Sequence, residues 1–236
     1  GNNVTANYKI TYVAGDLEIV SPDTVVVTIK GAKDTVEYDG KLHEVNGYEV
    51  VSISNTLYTA KDFGLAEGAT AHAEGTNAGD YYMHLTDESF VNKNENFASV
   101  TFIVEDGKLT ITKRGAGEKK VELTAADNTV EYDGQAHGAK LNAAGEIEVG
   151  TSYTITNLAE GHRVKTVTID GSETNAGVYE GKLVPSGAII VDKDGNNVTA
   201  NYKITYVAGD LEIVSPDTVV VTIKGAKDTV EYDGKL

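Results

Sequence analysis

Cysteine and tryptophan are absent from the 236 residues, methionine occurs once, proline three times and phenylalanine four times. Without cysteine there is no disulfide framework, no thiolate metal site and no cysteine nucleophile. Without tryptophan the broadest aromatic platform for a sugar ring is missing. Basic residues are also in short supply, 20 Lys and Arg against 36 Asp and Glu, for a net charge of −16. Phosphate backbones are held by clustered Lys and Arg, so neither nucleic acid nor an anionic membrane is an expected partner. No apolar run approaches the roughly 18–20 residues that span a bilayer as a helix. No secretory leader pattern is visible, which carries little weight if the chain is an interior window of a longer one.

What is present is strand chemistry. Thirteen Tyr and 25 Gly accompany segments rich in Val, Ile and Thr. These β-branched and aromatic residues suit a pleated, half-buried surface. Above all, residues 1–42 recur unchanged at 195–236, a period of 194 residues. Packing does not hold 42 consecutive residues identical, because exposed positions tolerate most changes. Duplication of a gene segment does, and the chain reads as part of an array of repeats.

Within that period lies a shorter, diverged one. Tyr38-Asp39-Gly40 returns as Tyr132-Asp133-Gly134, each followed by a histidine, His43 or His137, five residues after its Tyr. Asn77-Ala78-Gly79 returns as Asn175-Ala176-Gly177, and the segment from Asn96-Phe97 returns from Asn201-Tyr202. The reading is a C-terminal domain fragment at 1–22, a complete domain at 23–114, a second at 115–216, and the opening of the next at 217–236. Alternating runs predict strands at 7–13, 16–20, 24–29, 34–38, 47–53, 100–104 and 108–111, with one helical turn at 57–63. The paired runs around Ala14-Gly15 and Asp106-Gly107 read as domain-closing hairpins. Residues 21–23 and 113–117 read as linkers. Gly107 and the glycines of the two Asn-Ala-Gly turns are expected at positive φ. The fold class is all-β, in tandem elongated domains of about 35–45 Å if strands run along the long axis. Two such domains in series would make a rod.

These motifs carry a likeness. Tyr-Asp-Gly with a following His, Asn-Ala-Gly before a strand, and the closing stretch Val198-Thr199-Ala200-Asn201-Tyr202-Lys203-Ile204-Thr205-Tyr206 resemble the MBG and YDG-type repeat domains. Those domains stand in tandem in wall-anchored surface adhesins of Gram-positive gut and oral bacteria. The resemblance implies a mostly-β domain in an extracellular array on the cell wall. It leaves open an immunoglobulin-like sandwich or a β-grasp-like roll, and it brings no catalytic residues.

Candidate sites are few. Tyr38 with His43, and Tyr132 with His137, form either a small recognition patch or a tyrosine packed over a turn with an imidazole capping it. Asn-Ala-Gly is either an anion-binding nest of backbone N–H groups or a turn. Asp192-Lys193-Asp194-Gly195-Asn196 opens like a calcium loop, but its twelfth position is Lys203 where a Glu is needed. His72, His84 and His162 lack zinc-ligand spacing. Lys203 is placed for solvent rather than for a buried Lys–Asn cross-link. The expectation is therefore no catalytic residues, no cofactor, no metal and no enzymatic activity. The expected role is a stalk segment that projects a distal adhesive domain, with neighbouring repeat domains as partners. The alternative is a module that binds host glycans or glycoproteins through exposed Tyr.

Overall fold

The computed structural model describes residues 1–18, 24–216 and 220–234. The predicted linker at 21–23 and the end of the strand predicted at 16–20 lie outside the described residues. Contacts divide the chain into two units, residues 1–36 with 42–111, and residues 37–41 with 112–236. The structure is all-β, its only helical pieces among the described residues being three-residue 3-10 turns.

In the first unit, β1 (Val25–Gly31) is the central strand. Its burial alternates, with Val25, Val27, Ile29 and Gly31 on the covered face. It lies antiparallel to β4 (Tyr48–Ile53) and parallel to β9 (Val100–Glu105), from Val25↔Val100 to Lys30↔Glu105. A second sheet has the order β2 (Lys33–Glu37), β10 (Lys108–Thr112), β7 (Gly79–Tyr82). Leu109 and Ile111 of β10 are buried. Two small ribbons complete the unit, β3 (His43–Asn46) with β6 (His72–Gly75), and β5 (Phe63–Leu65) with β8 (Phe90–Asn92). All four phenylalanines, Phe63, Phe90, Phe97 and Phe102, gather here with Tyr48 and Tyr58, ring centroids 5.0–6.3 Å apart. Such edge, tilted and stacked contacts add to the area that aromatic rings bury.

The second unit repeats the plan. β11 (Val121–Ala125) lies between β13 (Tyr153–Ile155) and β16 (Ile204–Val207), parallel to the latter. A four-stranded sheet runs β12 (Asn128–Glu131), β17 (Gly209–Val214), β15 (Gly177–Val191), β14 (Arg163–Asp170). Ala125, Leu183, Leu211 and Ile213 form one core cluster and Leu123, Tyr153 and Ala188 another.

Several expectations are corrected. The closing pairs β9–β10 and β16–β17 are not hairpins. In each, the first strand pairs in parallel with the unit's opening strand and the second joins a different sheet. Alternation in sequence fixes that both are strands, but not which edge each meets. Gly107, Gly79 and Gly177 do not have positive φ. Gly107 is needed for space, since a Cβ there would run into the Met83 sulfur and lie 2.8 Å from the Ala32 carbonyl oxygen. The predicted helical turn is a pair of hydrogen-bonded turns, Tyr58 N–H to Asn55 O and Asp62 N–H to Thr59 O, leading into β5.

Residues 1–18 and 220–234 form no strand among the described residues and are exposed throughout, so the strand predicted at 7–13 and the hairpin predicted around Ala14-Gly15 are not formed, their apolar alternation having no partner strand to pair with.

Candidate functional site

The best-built polar and aromatic cluster centres on the first Tyr-Asp-Gly. Residues 37–41 are part of the second unit. The Tyr38 N–H donates to Thr112 O at 2.9 Å, and Asp39 Oδ1 accepts from the Lys41 N–H at 2.9 Å. Gly40 takes φ +82°, which an L side chain adopts only with strain, and a Cβ on it would lie 2.9 Å from His162 Nε2. This turn drives the Tyr38 ring inward until 2% remains exposed. The ring meets Tyr202 edge-on at 5.6 Å and His162 at 5.9 Å. Asn201, itself buried, hydrogen-bonds Tyr38 through its side chain. The Arg114 guanidinium donates to Tyr38 O at 3.3 Å and to Asn157 O at 2.5 Å.

The Tyr202 hydroxyl accepts from the Ala159 N–H at 3.2 Å and shares a hydrogen bond with His162 Nδ1 at 2.7 Å. The charged form of the imidazole is disfavoured. Burial pushes its pKa below the ordinary value, with Arg114 acting the same way and Asp192 opposing. Burial likewise pushes the Tyr202 hydroxyl up to about 12.

The second copy of the motif has the same local geometry and a different environment. The Tyr132 N–H donates to Val214 O at 2.9 Å, Asp133 Oδ1 accepts from the Gln135 N–H at 2.8 Å, and Gly134 takes φ +81°. Yet Tyr132 is 42% exposed. His137 closes on the turn through Asp133, Nε2 to Oδ1 2.8 Å. The Gln135 N–H and then His137 hold the Asp133 carboxyl below its usual range. His43 lies on β3, opposite Gly75 in the ribbon with β6.

The other tyrosines are mostly spent on cover. Tyr81 and Tyr179 each reach back four residues, their hydroxyls donating to Asn77 O at 2.8 Å and Asn175 O at 3.0 Å. That bond closes the two Asn-Ala-Gly turns, with Gly79 and Gly177 opening the strands that follow. Tyr58 donates to Asp62 O and Asn92 Oδ1, and Tyr206 accepts from the Ala188 N–H.

An open groove of about 470 Å³ adjoins His162, bordered by Asp39, Lys41, Glu160, Asp192 and Asp194. The Asp192 carboxylate is engaged by its own loop, by the Asn196 side chain and the N–H groups of Asp194 and Asn196, which keep its pKa low. The residues that read as a calcium loop thus form a tied-off turn.

One further group escaped the sequence reading. Glu44, His72 and Glu74 bring their ligand atoms within 4.8 Å of one another, the one such group among the described residues. Glu44 faces Glu74 and Asn46 faces His72 across β3–β6, which aligns all four on one side of the ribbon. Asn46 Oδ1 lies 2.7 Å from His72 Nδ1 and Glu74 lies 3.3 Å from Nε2. These residue types suit a divalent transition metal. Only the strand register, not the spacing in sequence, reveals the group.

Comparison with family models, with characterised proteins and with solved structures finds no match.

Proposed function

We propose that this chain is a structural segment of a repetitive extracellular stalk, one that carries an adhesive domain away from a bacterial cell wall. The observation that carries the reading is the use made of its tyrosines. Recognition surfaces present clustered exposed aromatics. Here Tyr38, Tyr58, Tyr153 and Tyr202 are buried, and Tyr81, Tyr179 and Tyr206 are tied by their hydroxyls to the backbone. The perfect 42-residue repeat adds the logic of a lengthening array. The acidic balance, −16, favours solubility at high local density.

The test is a glycan and glycoprotein array probed with one 194-residue unit. The expected result is no specific binding. Specific binding at low micromolar affinity would replace the stalk by a recognition module. Exposed Tyr132 and Tyr82 would then be the first residues to substitute.

A further inference from the structure

The ribbon β3–β6 of the first unit is fixed from behind and charged in front. Val45 and Ala73 pair across it, point away from the charged face and are buried. Just past Asn46, the Gly47 N–H donates to Ala71 O at 2.8 Å and Gly47 O accepts from the Ala32 N–H at 3.0 Å. The backbone under Glu44, Asn46, His72 and Glu74 is therefore set by the core. On the charged face, Glu44 stands directly opposite Glu74, where like charges destabilise a strand pair. The Glu44 carboxylate has no hydrogen bond or ion pair among the described residues to offset this. The His72 ring is held by Asn46, whose Oδ1 can only accept, so Nδ1 carries the proton of that 2.7 Å bond. In the neutral ring Nε2 is then a bare lone pair, 3.3 Å from Glu74 Oε2, itself an acceptor. A proton on Nε2 meets Glu74 and leaves Glu44 without a partner. A divalent cation meets all three.

We propose that Glu44, His72 and Glu74 form a zinc site, with His72 Nε2 and one oxygen of each carboxylate as ligands and Asn46 as the positioning residue for the ring. Imidazole with carboxylate is a zinc ligand set, whereas calcium and magnesium take oxygen alone. A metal-bound histidine characteristically donates its other ring N–H to an oxygen, the part Asn46 plays. Zinc holds N and O ligands at about 2.0–2.2 Å, which puts tetrahedral neighbours about 3.4 Å apart. The three ligand atoms already lie within 4.8 Å of one another, and turning the exposed Glu side chains closes the rest. The second unit shows that the fold does not require these residues. Its bridge between His137 and Glu173 corresponds to the pairing of His43 with Gly75. Counted inward from that bridge, Gly138 and Ser172 replace the two glutamates, and Lys140 and Asp170 replace Asn46 and His72. The ligand set belongs to the first unit alone, and a metal there ties β3 to β6.

The test is calorimetric titration of zinc chloride into the metal-free 236-residue chain. The parent chain is expected to bind one zinc in a saturating isotherm. Its first unit should then melt at a higher temperature, since a ligand that binds only the folded state stabilises it. His72→Ala and Glu44→Gln should each weaken binding at least about tenfold. Asn46→Ala should weaken it by about tenfold, and Asn46→Asp, which keeps an acceptor for Nδ1–H, should restore it. Zinc binding undiminished in His72→Ala overturns the proposal. So does calcium chloride binding as tightly as zinc, the mark of an acidic surface alone. A readout on the parent chain guards against a variant that fails to fold. Nitrogen-15 resonances of the imidazoles should show zinc shifting His72 Nε2 and leaving His84 and His137 in place. A His72 resonance that zinc does not move overturns the site. None of these outcomes depends on the stalk reading.

Discussion

At the scale of single residues, His162 and Tyr202 carry the strongest predictions. Removing the Tyr202 hydroxyl leaves the Ala159 N–H and His162 Nδ1 without their partner at 3.2 and 2.7 Å. Tyr202→Phe is expected to cost about 1–3 kcal/mol, the penalty for leaving buried polar groups unpaired. Calorimetry should show the second unit melting lower and the first unit unchanged. The pH dependence follows from His162. Its folded pKa lies below the ordinary 6.5, so the unfolded chain binds the proton more tightly. Stability is present in full above pH 6.5 and is lost as pH falls through the depressed folded value. The second unit should melt lower at pH 5 than at pH 7.5, and His162→Gln should flatten that difference. A slope that survives in His162→Gln would assign it to other groups. Asp192, with its lowered pKa, loses its contribution only below the carboxylate range near 3.8, in a separate window. Little of this cluster was legible in the sequence. His162 shows no motif spacing, and Tyr38, Arg114, His162 and Tyr202 are brought together from four distant stretches of the chain. The sequence did mark Tyr38, because its turn recurs, while leaving its partner undetermined.

At the scale of elements, glycines separate two physical reasons for the same residue. Gly187 lies within β15 at φ +62° with nothing near the position of a Cβ. Gly181, at φ +60°, is the other left-handed point in that strand. The pairing shifts register around both, opposite β17 between Tyr179 and Leu183 and opposite β14 between Ile189 and Ser186. The long strand thus bends by bulges. Gly187→Ala should cost about 1–2 kcal/mol from backbone strain alone, and Gly187→Asn less, because Asn visits the left-handed region more readily. Gly107 is the opposite case, ordinary in φ and closed in by Met83 and Ala32. Gly107→Ala should cost about 1–3 kcal/mol by overpacking, and Met83→Ala should recover part of it. Denaturant titration of both series checks this. No recovery from Met83→Ala would mean that contact with the Ala32 carbonyl sets the whole cost. Strand existence was legible at β1, β2, β4, β9 and β10, where β-branched residues alternate. The short ribbons β3–β6 and β5–β8 were not, since three or four residues carry no periodic signal.

At the scale of the whole molecule, the exact repeat provides an internal control. Leu17 is 87% exposed and Leu211, its identical counterpart, 0%. Tyr232 is 94% exposed against 2% for Tyr38. Hydrogen exchange should find residues 4–18 unprotected and residues 198–212 protected, despite equal sequence. Equal protection would show that the first copy finds strand partners in another chain. Deleting residues 1–22 should then change the associated fraction seen by light scattering at high concentration. With hydrogen exchange as expected, the deletion should leave it unchanged.

The same control divides what sequence alone determines from what tertiary structure decides. In both copies Asn3 and Asn197 accept from the N–H and hydroxyl of Thr5 and Thr199, at 3.0 and 2.6 Å and at 3.0 and 2.7 Å. In both, the turns Thr5–Asn7 and Thr199–Asn201 are 3-10. That structure is written locally, because an Asn side chain and the N–H two residues on need nothing else. The strands that follow are written identically and, among the described residues, form only once. Ile204–Val207 lies against β11, and Gly209–Val214 against β12 and β15. Residues 10–18 carry the same alternation and have no such neighbours among the described residues. A strand's hydrogen bonds and its covered face both belong to other segments, so alternation specifies a competence to pair and the complete domain supplies the partner.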